Sequence, residues 1–155
     1  VRIAQLSQIL YTHPALAQQV IDCQSPQEYE KLFESSLTGF WLTHYTLNSR
    51  SEPVPKKIGK TTLYLLMINA VVPFLFALAN YNKNGNFQEK AVGLLEQLPP
   101  EKNQIIKKFE NLNFKVFNAF DTQGLIGLKK NYCESLKCLT CKIGIQILNN
   151  HGQNN

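Results

Sequence analysis

The chain has 155 residues, of which 44% are hydrophobic and 17% charged, with 16 Lys and Arg against 11 Asp and Glu. That length is enough for one ordinary domain with its own core, and that composition excludes a disordered chain. The net charge of +5 is unevenly spread, two basic and four acidic side chains in residues 1–48 and fourteen and seven in 49–155. A basic half favours polyanions, and it equally serves plain solubility. Of four cysteines, Cys133, Cys138 and Cys141 fall within nine residues and Cys23 stands apart. A secreted disulfide scaffold spreads its cysteines over a smaller chain, so a reducing, cytoplasmic setting is expected. The chain opens Val1-Arg2-Ile3 with no leader pattern, which reads as a piece of a longer protein or one whose start was removed.

Apolar residues at 3, 6, 9 and 10 have the spacing of one helix face and predict a helix over Arg2–Leu10. Pro14 suits the first turn of a second helix to about Cys23. Ser25-Pro26-Gln27-Glu28 is a capping box with Pro at the first helical position, opening a helix to about Glu34. The aromatic-rich Leu37–Leu47 predicts a short helix, and Asn48–Lys60, with two prolines, the clearest loop.

Thr61–Tyr81 is the most apolar stretch and approaches the length of a membrane span. Asn69 and Pro73 interrupt it, and no second span follows, which predicts a buried central helix kinked near Pro73 and no membrane. A buried Asn69 amide would have to be bonded, most simply to a neighbour's backbone. After the turn at Tyr81–Gly85, Asn86 and Glu89 suggest a capped helix to about Leu98. Helices follow over about 101–111 and, capped by Asp121, over Thr122–Tyr132. Phe114–Phe120 alternates like a short strand or an extended link, and a last helix covers Leu139–Leu148. The expected fold is all-α: one compact domain over residues 1–148, seven or eight helices around a central apolar one, then a polar flexible tail at 149–155.

Three groups of residues can carry chemistry. Cys133, Cys138 and Cys141 have the spacing C-x4-C-x2-C, which can point thiolates at one soft cation, zinc or an iron–sulfur centre. A closed zinc site needs a fourth ligand, for which only His151 and Cys23 offer themselves. The alternatives are a disulfide within the cluster or small, inert, partly buried thiols. Trp41, His44 and Tyr45 share one face if their segment is helical, suited to stacking a base or placing a general base, and equally to core packing. Lys56, Lys57, Lys60, Lys129 and Lys130 form the basic patches that would meet nucleic acid or another anion. Ile58-Gly59-Lys60-Thr61-Thr62 lacks the first glycine of a phosphate loop, since Val54 occupies that position.

The ordered series VRIAQL at the start, FWLTHY at 40–45, IGKTT at 58–62, INAVVP at 68–73, LPPEKN at 98–103, NAFDTQGLI at 118–126 and KKNYCESLKCLTCKIG at 129–144 resembles the C-terminal half of a bacterial protein family of unknown function. The likeness runs to about residue 148. It implies that the chain is the C-terminal helical part of a longer protein. The preceding half of that family contains a segment similar to the metal-dependent PD-(D/E)xK nucleases, whose acidic residues this chain lacks. The resemblance singles out Trp41, His44, Tyr45, Gly59, Lys60, Asn69, Pro73, Glu101, Asn103, Asp121, Gln123, Lys129, Tyr132 and the three clustered cysteines, and leaves out Cys23 and His151.

Together these readings contain no complete active site. They point to a non-catalytic domain that binds DNA or RNA or packs against the missing N-terminal part of its own protein. A metal site on the cysteine cluster is the alternative.

Overall fold

The computed structural model describes residues 1–152, and the chain falls into two compact units, Val1–Leu98 and the part from Pro99 onward. The fold is mostly helical. The first unit contains α1 (Arg2–Thr12), α2 (Leu16–Asp22) and α3 (Pro26–Leu32), two short antiparallel strand pairs, then α4 (Lys60–Leu66), α5 (Val72–Asn82) and α6 (Gly85–Gln97). The strands are β1 (Ser36–Leu37), β2 (His44–Thr46), β3 (Ser49–Arg50) and β4 (Lys56–Lys57), pairing β1 with β4 and β2 with β3. The second unit contains α7 (Gln104–Glu110), α8 (Ala119–Leu128) and α9 (Lys142–Gly152).

α4 and α5 are one continuous helix, Lys60–Asn82, long and apolar enough by length and composition to cross a membrane. Only 39% of its most apolar stretch is buried, so it is a one-sided core helix rather than one wrapped all round. Its inward face is Leu63, Met67, Ile68, Val71, Val72, Leu75 and Ala79. α6 folds back against α5 and buries Ala91, Leu94 and Leu95, with Leu98 closing the unit. The disturbance expected at Pro73 takes the form of a π turn over Met67–Val71, in which Val72 N–H donates to the Met67 carbonyl. A proline inside a helix crowds the carbonyl four residues back, here that of Asn69, and a widened turn relieves that crowding. Asn69 itself is exposed, and its Nδ2 donates to the Leu65 carbonyl at 2.9 Å. The expected tie to a neighbouring element is therefore a bond within its own helix.

The helix starts follow local chemistry. Ser25 Oγ accepts from Glu28 N–H at 3.4 Å, and Glu28 Oε2 accepts from the N–H of Gln24, the residue before the cap, at 2.9 Å, a variant of the expected capping box. Elsewhere the caps sit earlier or later than the sequence suggests. Asn84 caps α6, Asn103 caps α7 by accepting from Ile105 and Ile106 N–H, and Asn118 caps α8 by accepting from Asp121 N–H at 3.0 Å. Asp121 is thus the third residue of α8, returning a bond to Phe117 N–H at 2.9 Å, and the segment before it is irregular rather than a strand. α9 begins at Lys142 after a tight 3-10 turn at Cys138–Thr140 and runs to Gly152, so part of the expected flexible tail is helical. Residues 153–155 of that tail lie outside the described residues.

Near Leu37–Leu47 the expected helix is a 3-10 turn, Gly39–Leu42, followed by β2. Gly39 at φ +60° makes the turn that a side chain would strain. β-branched and aromatic residues after it favour the extended state, and β2 finds a partner in β3.

Tyr29 is buried in α3, and its hydroxyl donates to the carbonyls of Val20, at 3.0 Å, and Cys23, at 3.4 Å. Burial, reinforced by Cys23 and Glu28, raises the phenol's pKa well above its usual range. A folded-state pKa above the unfolded one means stability that is intact below about pH 10 and lost as pH rises beyond it. Denaturant titrations at pH 8 and pH 11 will show the first unit losing stability at the higher pH. Tyr29→Phe will be less stable by about 1 kcal/mol at pH 8 and will lose part of that alkaline sensitivity.

Candidate functional site

The predicted aromatic face does not form. Trp41 lies in the 3-10 turn, whereas His44 and Tyr45 are neighbours in β2, where successive side chains point to opposite sides. His44 stacks on Phe40, ring centroids 3.9 Å apart, with Nδ1 3.0 Å from the Phe40 carbonyl and 3.0 Å from Thr43 Oγ1. An imidazole held this way by its own turn is a local fastener. Phe40 meets Trp41 edge-to-face at 5.2 Å. The exposed ring of Tyr45 carries the Lys56 ammonium 4.0 Å from its centroid.

The basic residues are largely engaged. Lys56 is buried, and its Nζ donates to the Leu42 carbonyl at 3.2 Å and to Ser51 Oγ at 3.1 Å. It joins the 3-10 turn and the strand pairs, and is not available to a phosphate. Lys57 lies 3.5 Å from Glu34 and Lys60 3.8 Å from Glu30. Exposed pairs of this kind add about 0–1 kcal/mol to stability, and the neighbouring carboxylates offset the charge these lysines offer an anion. Lys129 bonds to Glu134, and that bond holds the Glu134 carboxyl below its usual pKa. Lys130 is exposed.

In the second unit, α8 passes into a π turn, Lys129–Cys133, and the chain then reverses through Leu136 at φ 52° into the 3-10 turn and α9. The reversal borders a half-open apolar cavity of about 240 Å³. Phe109, Leu112, Phe114, Leu128, Tyr132 and Ile143 line it together with Cys133, Cys138 and Cys141. The three cysteines do share one space. Cys133 and Cys138 are exposed, Cys141 is buried, and all are free thiols. Among the described residues, no group of three or more His, Cys, Asp or Glu side chains is arranged to hold a metal ion. Cys138 and Cys141 stand at the two ends of one turn while Cys133 belongs to the turn before it, so the C-x4-C-x2-C spacing places the thiols around a greasy cavity instead of on one centre. Of the two fourth ligands considered, Cys23 is buried at the end of α2 in the first unit, and the side chain of His151 lies outside the described residues.

Gly144 explains why this corner is tight. A Cβ there would lie 2.4 Å from the Cys138 carbonyl oxygen, so the first turn of α9 rests directly on the backbone of the cysteine turn. Sequence reading gave no role to Gly144, although it sits three residues beyond Cys141.

A second feature lies on the first helix. The apolar row of α1 faces outward: Ile3, Leu6, Leu10 and Tyr11 are 82, 53, 52 and 89% exposed, and of residues 3, 6, 9 and 10 only Ile9 is buried. α1 is held instead through polar bonds, buried Gln5 Nε2 to the Lys56 carbonyl at 2.9 Å and Gln8 Nε2 to the Ser36 carbonyl at 3.2 Å. Between α1, α2 and the central helix runs an open groove of about 440 Å³. Leu6, Ile9, Leu10, Leu16, Val20, Phe33, Leu66, Val71 and Phe74 form its walls. The periodicity of α1 was visible in the sequence, but not which side of the helix the Gln5 and Gln8 bonds would turn inward.

A family model described as a protein of unknown function (DUF2851) matches residues 1–104. The match takes in the groove, Trp41, His44, Tyr45 and Lys56 to Lys60, and ends before the cysteine cavity. No curated protein and no solved structure matches the chain.

Gly144→Ala will force Cys138 and α9 apart and destabilise the second unit by about 1–3 kcal/mol. Gly124→Ala, on α8 where a Cβ meets nothing within 4 Å, will stabilise it by about 0.4–1 kcal/mol. Paired urea titrations read both signs, and equal effects would contradict the contact.

Proposed function

The chain belongs to the DUF2851 family, and from that premise we propose that it is a non-catalytic packing module whose groove receives an apolar helix of a companion domain. The outward row Ile3, Leu6 and Leu10, continuous with the groove over α2 and the central helix, carries this reading. Contiguous exposed apolar surface marks a contact face. A long groove without polar walls fits the apolar stripe of an amphipathic helix, with anchors three or four residues apart, better than it fits a polar ligand. The basic residues favour the same choice over nucleic acid, since Lys56 is internal and Lys57, Lys60 and Lys129 already face carboxylates. Following the resemblance, the companion is the preceding, nuclease-like half of the same cytoplasmic polypeptide, and this part has a supporting role in it.

The test is calorimetric titration of the chain against that preceding half, produced separately. Leu6→Glu and Leu10→Glu will each weaken binding tenfold or more, about 1.4 kcal/mol or above, with helical circular dichroism unchanged. Lys57→Glu and Lys130→Glu will leave binding intact. Affinity that survives the leucine changes and disappears with the lysine changes would contradict the proposal.

A further inference from the structure

The cysteine cavity has a geometry that the packing role does not use. Cys138 and Cys141 begin and end one hydrogen-bonded turn, Cys141 N–H donating to the Cys138 carbonyl at 3.3 Å. The ends of such a turn lie within about 7 Å of each other, and a disulfide spans Cα separations of about 4.4–6.8 Å. The two thiols differ in access, Cys138 being exposed and Cys141 buried. Both residues border the same apolar cavity. Gly144 lets α9 close onto the Cys138 carbonyl, which fixes the turn in place. Cys133 borders the cavity as well, but it sits in the separate π turn, beyond the reversal at Leu136.

We propose that Cys138 and Cys141 form a redox-active dithiol that exchanges with low-molecular-weight disulfides, Cys138 attacking and Cys141 resolving. The Cys138 thiol gives up its proton, and its sulfur attacks one sulfur of the small disulfide. The small S–S bond breaks, one small thiolate leaves and takes up that proton, and a mixed disulfide remains on Cys138. The Cys141 thiol then loses its proton and attacks Cys138 Sγ. The mixed disulfide breaks, and the second small thiolate leaves as the thiol. Two protein thiols are oxidised to one disulfide while one small disulfide is reduced to two thiols, and excess small thiol reverses the sequence. Exposure makes Cys138 the first sulfur reached, and burial keeps Cys141 for the second step.

The full chain is equilibrated with mixtures of oxidised and reduced glutathione, quenched with an alkylating agent, and read by intact mass and peptide mapping. The wild type will close one disulfide, Cys138 to Cys141. Cys141→Ser will accumulate a glutathione adduct on Cys138, Cys138→Ser will form neither that disulfide nor that adduct, and Cys133→Ser will behave like the wild type. A disulfide that includes Cys133, adducts shared evenly between Cys133 and Cys138, or a wild type whose thiols all remain alkylatable in oxidised glutathione alone would overturn the proposal.

Discussion

The first unit depends on keeping one face of the helix Lys60–Asn82 out of water. Burying a large aliphatic side chain contributes about 1.5–3 kcal/mol, and this face buries Leu63, Met67, Ile68, Val71, Val72 and Leu75. The residues recur about every four positions. A regular helix of about 3.6 residues per turn carries a four-residue spacing steadily round its axis and would turn Leu75 away from Leu63. The π turn at Met67–Val71 holds more residues per turn and returns Val72 and Leu75 to the common face. Pro73 and the wide turn thus serve one end.

Polar residues then fix the arrangement. Gln5 is buried between the Lys56 carbonyl and Arg2, whose guanidinium donates to Gln5 Oε1 at 3.1 Å. Lys56 in turn reaches the Leu42 carbonyl, Ser51 and the ring of Tyr45. Leaving a buried Gln5 amide unbonded would be costly, so these bonds favour the observed rotation of α1. That rotation leaves Ile3, Leu6 and Leu10 facing out and shapes the groove. Fold and proposed role are linked at this point: the bonds that hold the helix also commit its apolar row to a partner.

The helical fold was legible because long apolar periodicity and the Ser25–Glu28 box are strong local signals. Cap positions at Asn84, Asn103 and Asn118 were missed by two or three residues, because several Asn, Asp and Glu lie close together there and only backbone geometry selects among them. In segment 37–47 the helix-like spacing of Trp41, His44 and Tyr45 is overridden by the turn at Gly39 and the pairing of β2 with β3. Lys56 looked like a surface charge since nothing in its neighbours announces a buried ammonium. The three clustered cysteines border one cavity, and a spacing cannot distinguish a metal centre from the rim of an apolar cavity.

Hydrogen exchange of the backbone amides in Met67–Leu75, followed over rising sub-denaturing urea, tests the central role of this helix most directly. The account predicts that these amides exchange only through global unfolding of the first unit, with the free energy and urea dependence of that transition. Exchange through small local openings, insensitive to urea and far easier than unfolding, would contradict it.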